Sequence, residues 1–173
     1  MKIAVVTGNP KPASRTHGVA LAVAGALAAA LPGATTHPVV DLAGHAPRLF
    51  DSSAAELSRL TAAVAAADVA IFASPTYKAS YTGMLKAFLD RYGSNGLAGV
   101  LAVPVMTGGW AGHTLAVEVH LRPVLVELGA TVPARGLYVT EPELTDVDAA
   151  IAGWVAAAVP LVRVLAGYEA SEA

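Results

Sequence analysis

The chain has 173 residues, a formal net charge of −2 and no cysteine. The near-neutral charge gives no electrostatic basis for nucleic-acid binding, and the absence of cysteine excludes disulfides and thiol catalysis. Hydrophobic residues make up 55% of the chain and charged residues 14%, which is typical of a sheet buried on both faces. The length predicts a single domain over residues 1–173.

The apolar composition also bears on assembly and location. Helix surfaces rich in alanine and valine favour burial between subunits, so we expect a homodimer or a homotetramer. The segment 1–6 is too short for a signal peptide. The longest apolar stretch, residues 62–73, is divided by Asp68 and is shorter than a membrane span. We therefore expect a cytoplasmic protein with no membrane or nucleic-acid partner.

Apolar runs and helical patterns alternate along the chain. In chain order they predict a strand at 3–7, a helix at 16–31, a strand at 35–40, a loop at 41–51 and a helix at 53–66. The second half predicts a strand at 69–73, a helix at 82–92, a strand at 100–106, a helix at 113–128, a strand at 134–140 and a helix at 146–165. This alternation predicts an α/β fold, a flavodoxin-like three-layer sandwich whose five-stranded parallel sheet has the order 2-1-3-4-5.

Several residues mark the ends of the predicted helices. Ser52 or Ser53 is expected to cap the second helix, with Glu56 in the capping-box position, and Thr145 to cap the last. Pro160 is expected to kink or shorten the last helix. The tail from about residue 166 is predicted to be frayed.

The loop after the first strand has the composition of a monophosphate site. Gly8 permits a tight turn. Cationic and hydroxyl side chains follow at the start of a helix, namely Lys11, Ser14, Arg15 and Thr16. Helix N-termini bind phosphate because they present free N–H groups and a positive dipole end. The alternative is that Ser14 or Thr16 only caps the helix while the cations are solvated.

The loops after the third and fourth strands suit a flat heteroaromatic ring. The first of them contains Pro75, Thr76, Tyr77 and Lys78, where backbone N–H groups can donate to ring acceptors and the tyrosine can pack on the ring. The second contains Thr107, Gly108 and Gly109, and its glycines let the backbone approach a ring edge. Ordinary turns, with the tyrosine as surface cover, are the alternative.

Other kinds of site find little support in the residues. The histidines lack the spacing of a zinc-binding helix, and no serine lies in the Gly-x-Ser-x-Gly elbow of a hydrolase. We predict no metal site and assign no catalytic side chain. Glu118 and Glu127 are interpreted as part of a solvated helix face.

Together the three loops resemble the NAD(P)H-dependent FMN reductases, a flavodoxin-like family that includes the flavin reductases of two-component sulfonate monooxygenases. The resemblance is strongest over residues 74–90 and 107–130. The family pattern Gly-Ser-x-Arg-x-x-Ser is altered between Gly8 and Ser14, where Asn9 replaces serine and Lys11 replaces arginine. Lysine lacks the bidentate fork of arginine, so the resemblance implies a lower FMN affinity.

The resemblance implies FMN as cofactor and NADPH or NADH as hydride donor. It assigns the FMN phosphate to Asn9, Lys11, Ser14, Arg15 and Thr16. It assigns the ribityl chain and isoalloxazine ring to Pro75, Thr76, Tyr77 and Lys78, and the ring edge to Thr107, Gly108 and Gly109.

Some relatives carry a tyrosine or histidine in the fourth helix, associated with a π-bulge at a tetramer interface. Here the matching position is Val119, with His120 beside it, and Pro123 interrupts the helical hydrogen bonds nearby. The sequence leaves open whether this helix contains a π-bulge.

The resulting hypothesis is an NAD(P)H-dependent FMN reductase that transfers hydride from nicotinamide to FMN and supplies reduced flavin to a partner monooxygenase. One alternative is a quinone or azo reductase that retains FMN. Another is a flavodoxin-like electron carrier, which the near-neutral charge and the lack of a hydroxyl-rich phosphate loop disfavour. A flavin-free regulatory domain is a third, because the serine and arginine of the family pattern are replaced.

Overall fold

A parallel sheet of five strands forms the centre of the protein. In the computed structural model, which describes residues 1–167, the strands are β1 (Lys2–Thr7), β2 (Thr35–Asp41), β3 (Val69–Pro75), β4 (Leu101–Gly108) and β5 (Leu137–Thr140). Their order is β2-β1-β3-β4-β5, and each neighbouring pair is parallel. The predicted fold class and strand order are confirmed.

Helices cover both faces of the sheet. They are α1 (Arg15–Ala30), α2 (Ala55–Ala65), α3 (Gly83–Leu89), α4 (Arg122–Glu127) and α5 (Val147–Leu165). Successive strand residues point to opposite faces, so Val5 and Ile71 pack in the core beneath α1 and α5, while Val6 and Phe72 pack in the core beneath α2, α3 and α4. Every residue of β3 is buried, which explains the continuous apolar run at its position.

The segment between β2 and α2 is more regular than predicted. A 3₁₀ helix, Leu42–Arg48, occupies most of the predicted loop at 41–51. It begins at Asp41, whose Oδ1 accepts a hydrogen bond from the Ala43 N–H at 3.2 Å. The loop prediction is wrong because this aspartate satisfies a backbone donor at the start of the turn.

The predicted cap of α2 is also wrong. The helix begins after Ala54 and has no side-chain cap. Ser53 instead donates its backbone N–H and its hydroxyl to Asp51, at 2.9 and 2.6 Å. This local Asx turn uses the serine before the helix starts. By contrast, Thr82 caps α3, which ends at Leu89 rather than at residue 92.

The predicted fourth helix is divided into three parts. A short 3₁₀ turn, Ala111–His113, is followed by a π-helical turn, Val117–Leu121, and then by α4. In the π-turn the Arg122 N–H donates to the carbonyl of Val117, five residues earlier. Pro123 follows at once and has no N–H to donate. A π-bulge is therefore present, with Val119 at the position that matches the tyrosine or histidine of some relatives.

Side chains from neighbouring elements explain why β5 begins at Leu137 and not at residue 134. The Arg122 guanidinium donates to the carbonyls of Val132 and Ala134, both at 3.0 Å. Glu118 accepts the Gly136 N–H, so it is not merely part of a solvated face. Backbone groups bound in this way do not join the strand ladder.

The last helix also departs from prediction. Asp146, and not Thr145, caps α5, with its Oδ1 accepting from the Ala149 N–H at 3.1 Å. The helix continues through Pro160 and ends at Leu165, so proline does not shorten it. Ala166 and Gly167 still donate to helix carbonyls. The remainder of the predicted frayed tail lies outside the described residues.

Within residues 1–167, α5 is the one helix that is long and apolar enough to cross a membrane by length and composition. It buries Ile151, Ala158 and Val162. Val164 and Leu165 remain exposed. One side of α5 is thus buried in the protein core, and the other side exposes a strip of apolar residues.

Candidate active site at the carboxyl edge of the sheet

Three neighbouring strands bring the three predicted loops together. Thr7 of β1 pairs with Ala73 of β3, and Pro75 pairs with Thr107 of β4. Since parallel strands end at one edge of a sheet, the loops that follow them form a single crevice. This pocket has a volume of about 280 Å³. Its lining consists of Asn9, Lys11, Ser14, Arg15, Thr16, Pro75, Thr76, Tyr77, Thr107, Gly108, Gly109, Glu141 and Leu144.

The first loop ends at the N-terminus of α1. Ser14 caps the helix, with its Oγ accepting from the His17 N–H at 3.2 Å, and the same hydroxyl can still donate its own proton. The N–H groups of Arg15 and Thr16 precede the helical hydrogen bonds. The first turn of α1 contains no acidic residue. Capping and anion binding are therefore compatible at this position.

A buried polar network supports the inner wall of the pocket. Asn9 Nδ2 donates to Thr16 Oγ1 at 3.3 Å, and Thr16 Oγ1 lies 2.7 Å from Thr107 Oγ1. Asn9 Oδ1 accepts the Lys11 N–H at 2.9 Å. All three polar side chains are buried. The network links the first loop to the end of β4. Both polar atoms of the Asn9 side chain form hydrogen bonds that shape the loop.

Lys78 is the one predicted site residue that does not line the pocket. It lies in a tight turn in which the Tyr77 N–H donates to the Ser80 carbonyl at 2.8 Å, and the Ser80 N–H donates back at 3.1 Å. Lys78 and Ala79 both have positive φ, 52° and 66°, as in a type I′ turn. This backbone places Lys78 at an exposed tip, while Tyr77 stays at the pocket with 51% of its surface exposed.

Position 108 requires glycine because a side chain of the neighbouring strand β5 occupies the space of a Cβ. A Cβ at this position would lie 2.1 Å from the Tyr138 hydroxyl of β5. That hydroxyl accepts a hydrogen bond from Thr76 Oγ1 at 3.2 Å. A Cβ at Gly109 would meet only Glu141 Oε2, at 3.4 Å. The glycine pair therefore has a packing reason at its first position, besides any approach to a ring edge.

Sequence reasoning missed Glu141 and Leu144. Both follow β5, which lies beside β4 at the edge of the sheet. The Glu141 N–H donates to the Gly108 carbonyl at 2.9 Å, and its Oε1 lies 2.7 Å from Arg15 Nη1. The predicted strand order could have identified them, because a fourth strand end reaches the same crevice.

The segment that carries Glu141 has a second carboxylate with a different role. Glu143 Oε2 accepts hydrogen bonds from the hydroxyl and from the backbone N–H of Thr140. These bonds, the hydroxyl's more than the backbone's, hold the pKa of Glu143 below its ordinary value. Glu143 therefore anchors the end of β5. Within residues 1–167 no group of three or more His, Asp or Glu side chains could hold a metal ion.

The sequence matches the family model described as NADPH-dependent FMN reductase over residues 1–143. The chain belongs to this family. It is therefore an oxidoreductase that uses FMN together with NADH or NADPH.

Two curated relatives illustrate the match. The chain is 34% identical to the NADH-dependent FMN reductase SfnF of Pseudomonas putida, over 80% of this chain and 76% of the relative. It is 39% identical to the FMN reductase (NADPH) of Escherichia coli (strain K12), over 56% of this chain and 50% of that protein. The relatives differ in the nucleotide that they are named for.

Solved structures agree on the architecture. The apo form of an NADH:FMN oxidoreductase, EMOB, superposes with a TM-score of 0.80 at 28% identity, covering 99% of this chain and 91% of that one. A flavodoxin from the domain Archaea, at 16% identity and a TM-score of 0.59, shows likeness of fold alone. The flavodoxin-like fold is confirmed.

The pocket fits FMN in its chemistry. Its lining contains a helix N-terminus with Lys11, Arg15 and hydroxyl groups, which are donors for a phosphate. It also contains Pro75, a half-exposed Tyr77 and two glycines, which suit a flat ring. The residues present thus offer partners for both the phosphate and the ring of FMN.

Proposed function

We propose that the protein reduces FMN as an exchanging substrate, with NADH or NADPH as donor, and supplies the reduced flavin to a flavin-dependent monooxygenase. The observation that carries the proposal is the pocket at the edge of the sheet, where the cations and hydroxyls at the start of α1 share one lining with the half-exposed Tyr77. Because a small cup with an exposed cation binds phosphate weakly, it favours exchange over permanent retention.

In this proposal the residues of the first loop hold the phosphate. The first turn of α1 supplies backbone N–H groups, and Lys11 and Arg15 supply positive charge. Thr16, through its bond to Thr107, holds the loop against β4. Asn9 keeps the loop closed through the Lys11 N–H.

The residues of the second and third loops orient the ring. Tyr77 covers one side of the pocket, and the Thr76 hydroxyl, bound to Tyr138, fixes the wall next to Gly108. FMN, when bound, supplies the hydride-accepting chemistry, and no acid or base from the protein is assigned to it. The protein's contribution is to bind, to orient and to limit the access of water.

The first experiment follows the loss of nicotinamide absorbance with purified protein, with and without added FMN. We expect a rate that depends on added FMN and saturates. A high rate without added FMN, in the presence of a quinone or dye, would favour a reductase that retains its flavin. No oxidation of either nucleotide would contradict the reductase.

Two lysines provide a matched pair of variants. Lys11 lines the pocket, whereas Lys78 is exposed at the tip of the turn outside it. We expect Lys11→Ala to raise the KM for FMN by roughly threefold to fivefold, as for the loss of one exposed charge pair. Lys78→Ala should leave this KM unchanged. Equal effects of the two changes would contradict the assignment of the phosphate end.

Transfer to a monooxygenase can be tested by physical separation. The reductase and a flavin-dependent monooxygenase are placed on opposite sides of a dialysis membrane that passes FMN but not protein, under low oxygen. Product formation is expected if reduced flavin diffuses between them. Product only when both proteins share one compartment would favour direct transfer.

We also propose a homodimer or homotetramer in the cytoplasm. The support is the exposed apolar surface of α5 and of the π-helical region, to which Leu161, Val164, Leu115 and Val119 contribute. Light scattering at micromolar concentration is expected to give a dimer or tetramer mass. A monomer, or recovery of the protein in the membrane fraction through α5, would contradict this proposal.

A further inference from the structure

One of the two cations assigned to the phosphate is already paired with a carboxylate. Arg15 Nη1 lies 2.7 Å from Glu141 Oε1. The two side chains are 67% and 55% exposed, so the pair is open to water. An exposed ion pair of this kind contributes little to stability and can open at small cost.

The carboxylate is held over the pocket from the opposite side. The backbone N–H of Glu141 donates to the Gly108 carbonyl, and its carbonyl accepts from the Leu144 N–H at 3.2 Å. Its second carboxylate oxygen lies close to Gly109, where an added Cβ would be 3.4 Å away. Glu141 therefore reaches across the pocket from the end of β5 to the start of α1.

This arrangement sets a negative charge against one of the cations assigned to the phosphate. The first turn of α1 has no acidic residue of its own, so the carboxylate comes from a different strand end. A phosphate that binds Arg15 must either displace the carboxylate or share the guanidinium with it. In both cases the like charges repel.

We propose that Glu141 competes with the flavin phosphate for Arg15 and thereby lowers the affinity for FMN and accelerates its release. The inference rests on the proposed function and deepens it, since it names the residue that makes the flavin an exchanging substrate. Its specific consequence is selectivity. Glu141 opposes FMN but not riboflavin, which has no phosphate.

The test measures the dissociation constants of FMN and riboflavin by the quenching of flavin fluorescence, at low and high salt. Glu141→Gln keeps the size of the side chain and removes its charge. We expect the Kd for FMN to fall by roughly threefold to tenfold at low salt and by less at high salt. The Kd for riboflavin should change by less than about twofold.

Glu143→Gln is the matched control, because it makes the same charge change on the same segment but contacts Thr140 and not Arg15. A second control is the Arg15→Gln background. There, Glu141→Gln should lose most of its effect, because the shared cation is gone.

Three results would overturn the inference while leaving the reductase intact. The first is that the wild type binds FMN and Glu141→Gln leaves the Kd for FMN unchanged. The second is that Glu141→Gln lowers the Kd for FMN and for riboflavin equally, which would indicate a steric opening of the pocket. The third is that Glu141→Gln raises the Kd for FMN, which would make the carboxylate a positioning group for Arg15. A wild-type protein that quenches neither flavin would instead overturn the proposed function and this inference together.

Discussion

The contact between Gly108 and Tyr138 offers a quantitative test of how β5 shapes the pocket. Gly108→Ala would place a Cβ 2.1 Å from the Tyr138 Oη, 3.1 Å from its Cζ and 3.2 Å from Thr76 Cβ. The φ of Gly108 does not lie in the left-handed region, so the cost arises from this contact and not from backbone strain.

The expected magnitude has two parts. Forcing an extra carbon into a packed site costs about 1–3 kcal/mol. Moving the tyrosine also breaks its hydrogen bond with Thr76, which contributes about 0.5–1.5 kcal/mol. The free energy of unfolding of Gly108→Ala should therefore fall by about 1.5–4.5 kcal/mol, the sum of these two ranges.

Removal of the clashing atom should rescue part of this loss. Tyr138→Phe alone should cost about 0.5–1.5 kcal/mol, because Thr76 loses its partner. In the double variant the nearest atoms are the ring carbon at 3.1 Å and Thr76 Cβ at 3.2 Å, which need to move only slightly. The double variant should thus be more stable than the sum of the single changes predicts, by about 1–2 kcal/mol.

Urea unfolding of the four proteins measures this cycle, with the same slope m required for each. Gly109→Ala is the control, since its Cβ would meet nothing closer than 3.4 Å, and its effect should stay within about 0.5 kcal/mol. Additivity of the two changes, or equal losses in Gly108→Ala and Gly109→Ala, would refute the reasoning.

Three further predictions concern the same fold. Gly8→Ala would place a Cβ 2.4 Å from Leu85 Cβ and 2.9 Å from its Cα, so it should cost more than about 3 kcal/mol or prevent folding, as measured by urea unfolding. Thr16→Val should remove about 1–3 kcal/mol and weaken FMN quenching, because it leaves buried Thr107 without its 2.7 Å partner; unchanged stability would contradict the network. Hydrogen bonds from the Ser53 hydroxyl, then from Arg48 and from the Ser53 N–H, lower the pKa of Asp51 to about 2. The stabilisation that results is present above the ordinary value of 3.8 and is lost as the pH falls towards 2, so thermal melts of Asp51→Asn should lack that acid dependence.

Much of the architecture follows from the sequence alone. The runs at β1, β3 and β4 are short and apolar on both faces, as expected for strands of a parallel sheet covered on both sides. Once the strands are parallel, their polar ends must meet at one edge. That is why the sequence predicts one pocket for residues as distant as Asn9, Thr76 and Thr107.

Helix ends and backbone detail were harder to predict from the sequence, because they depend on which of several polar groups forms a hydrogen bond with a given backbone atom. Serine commonly caps helices, but the N–H of Ser53 donates to the carboxylate of Asp51 instead. The start of β5 depends on Arg122 and Glu118, which bind the segment before it across the fold. Local propensity does not contain these long-range partners.

The site shows the same division. Residue types and strand order predicted that the three loops meet in one pocket at the carboxyl edge, and the structure places them there. Only the tertiary structure showed that Lys78 lies outside the pocket, in a turn with two positive φ angles. It also showed that the Tyr138 hydroxyl occupies the space of a Cβ at Gly108. It also decided that Glu141 reaches Arg15. The physical reason is that charge pairing between distant strand ends depends on distances of a few ångströms, which the packing of β5 against β4 sets and no local pattern encodes.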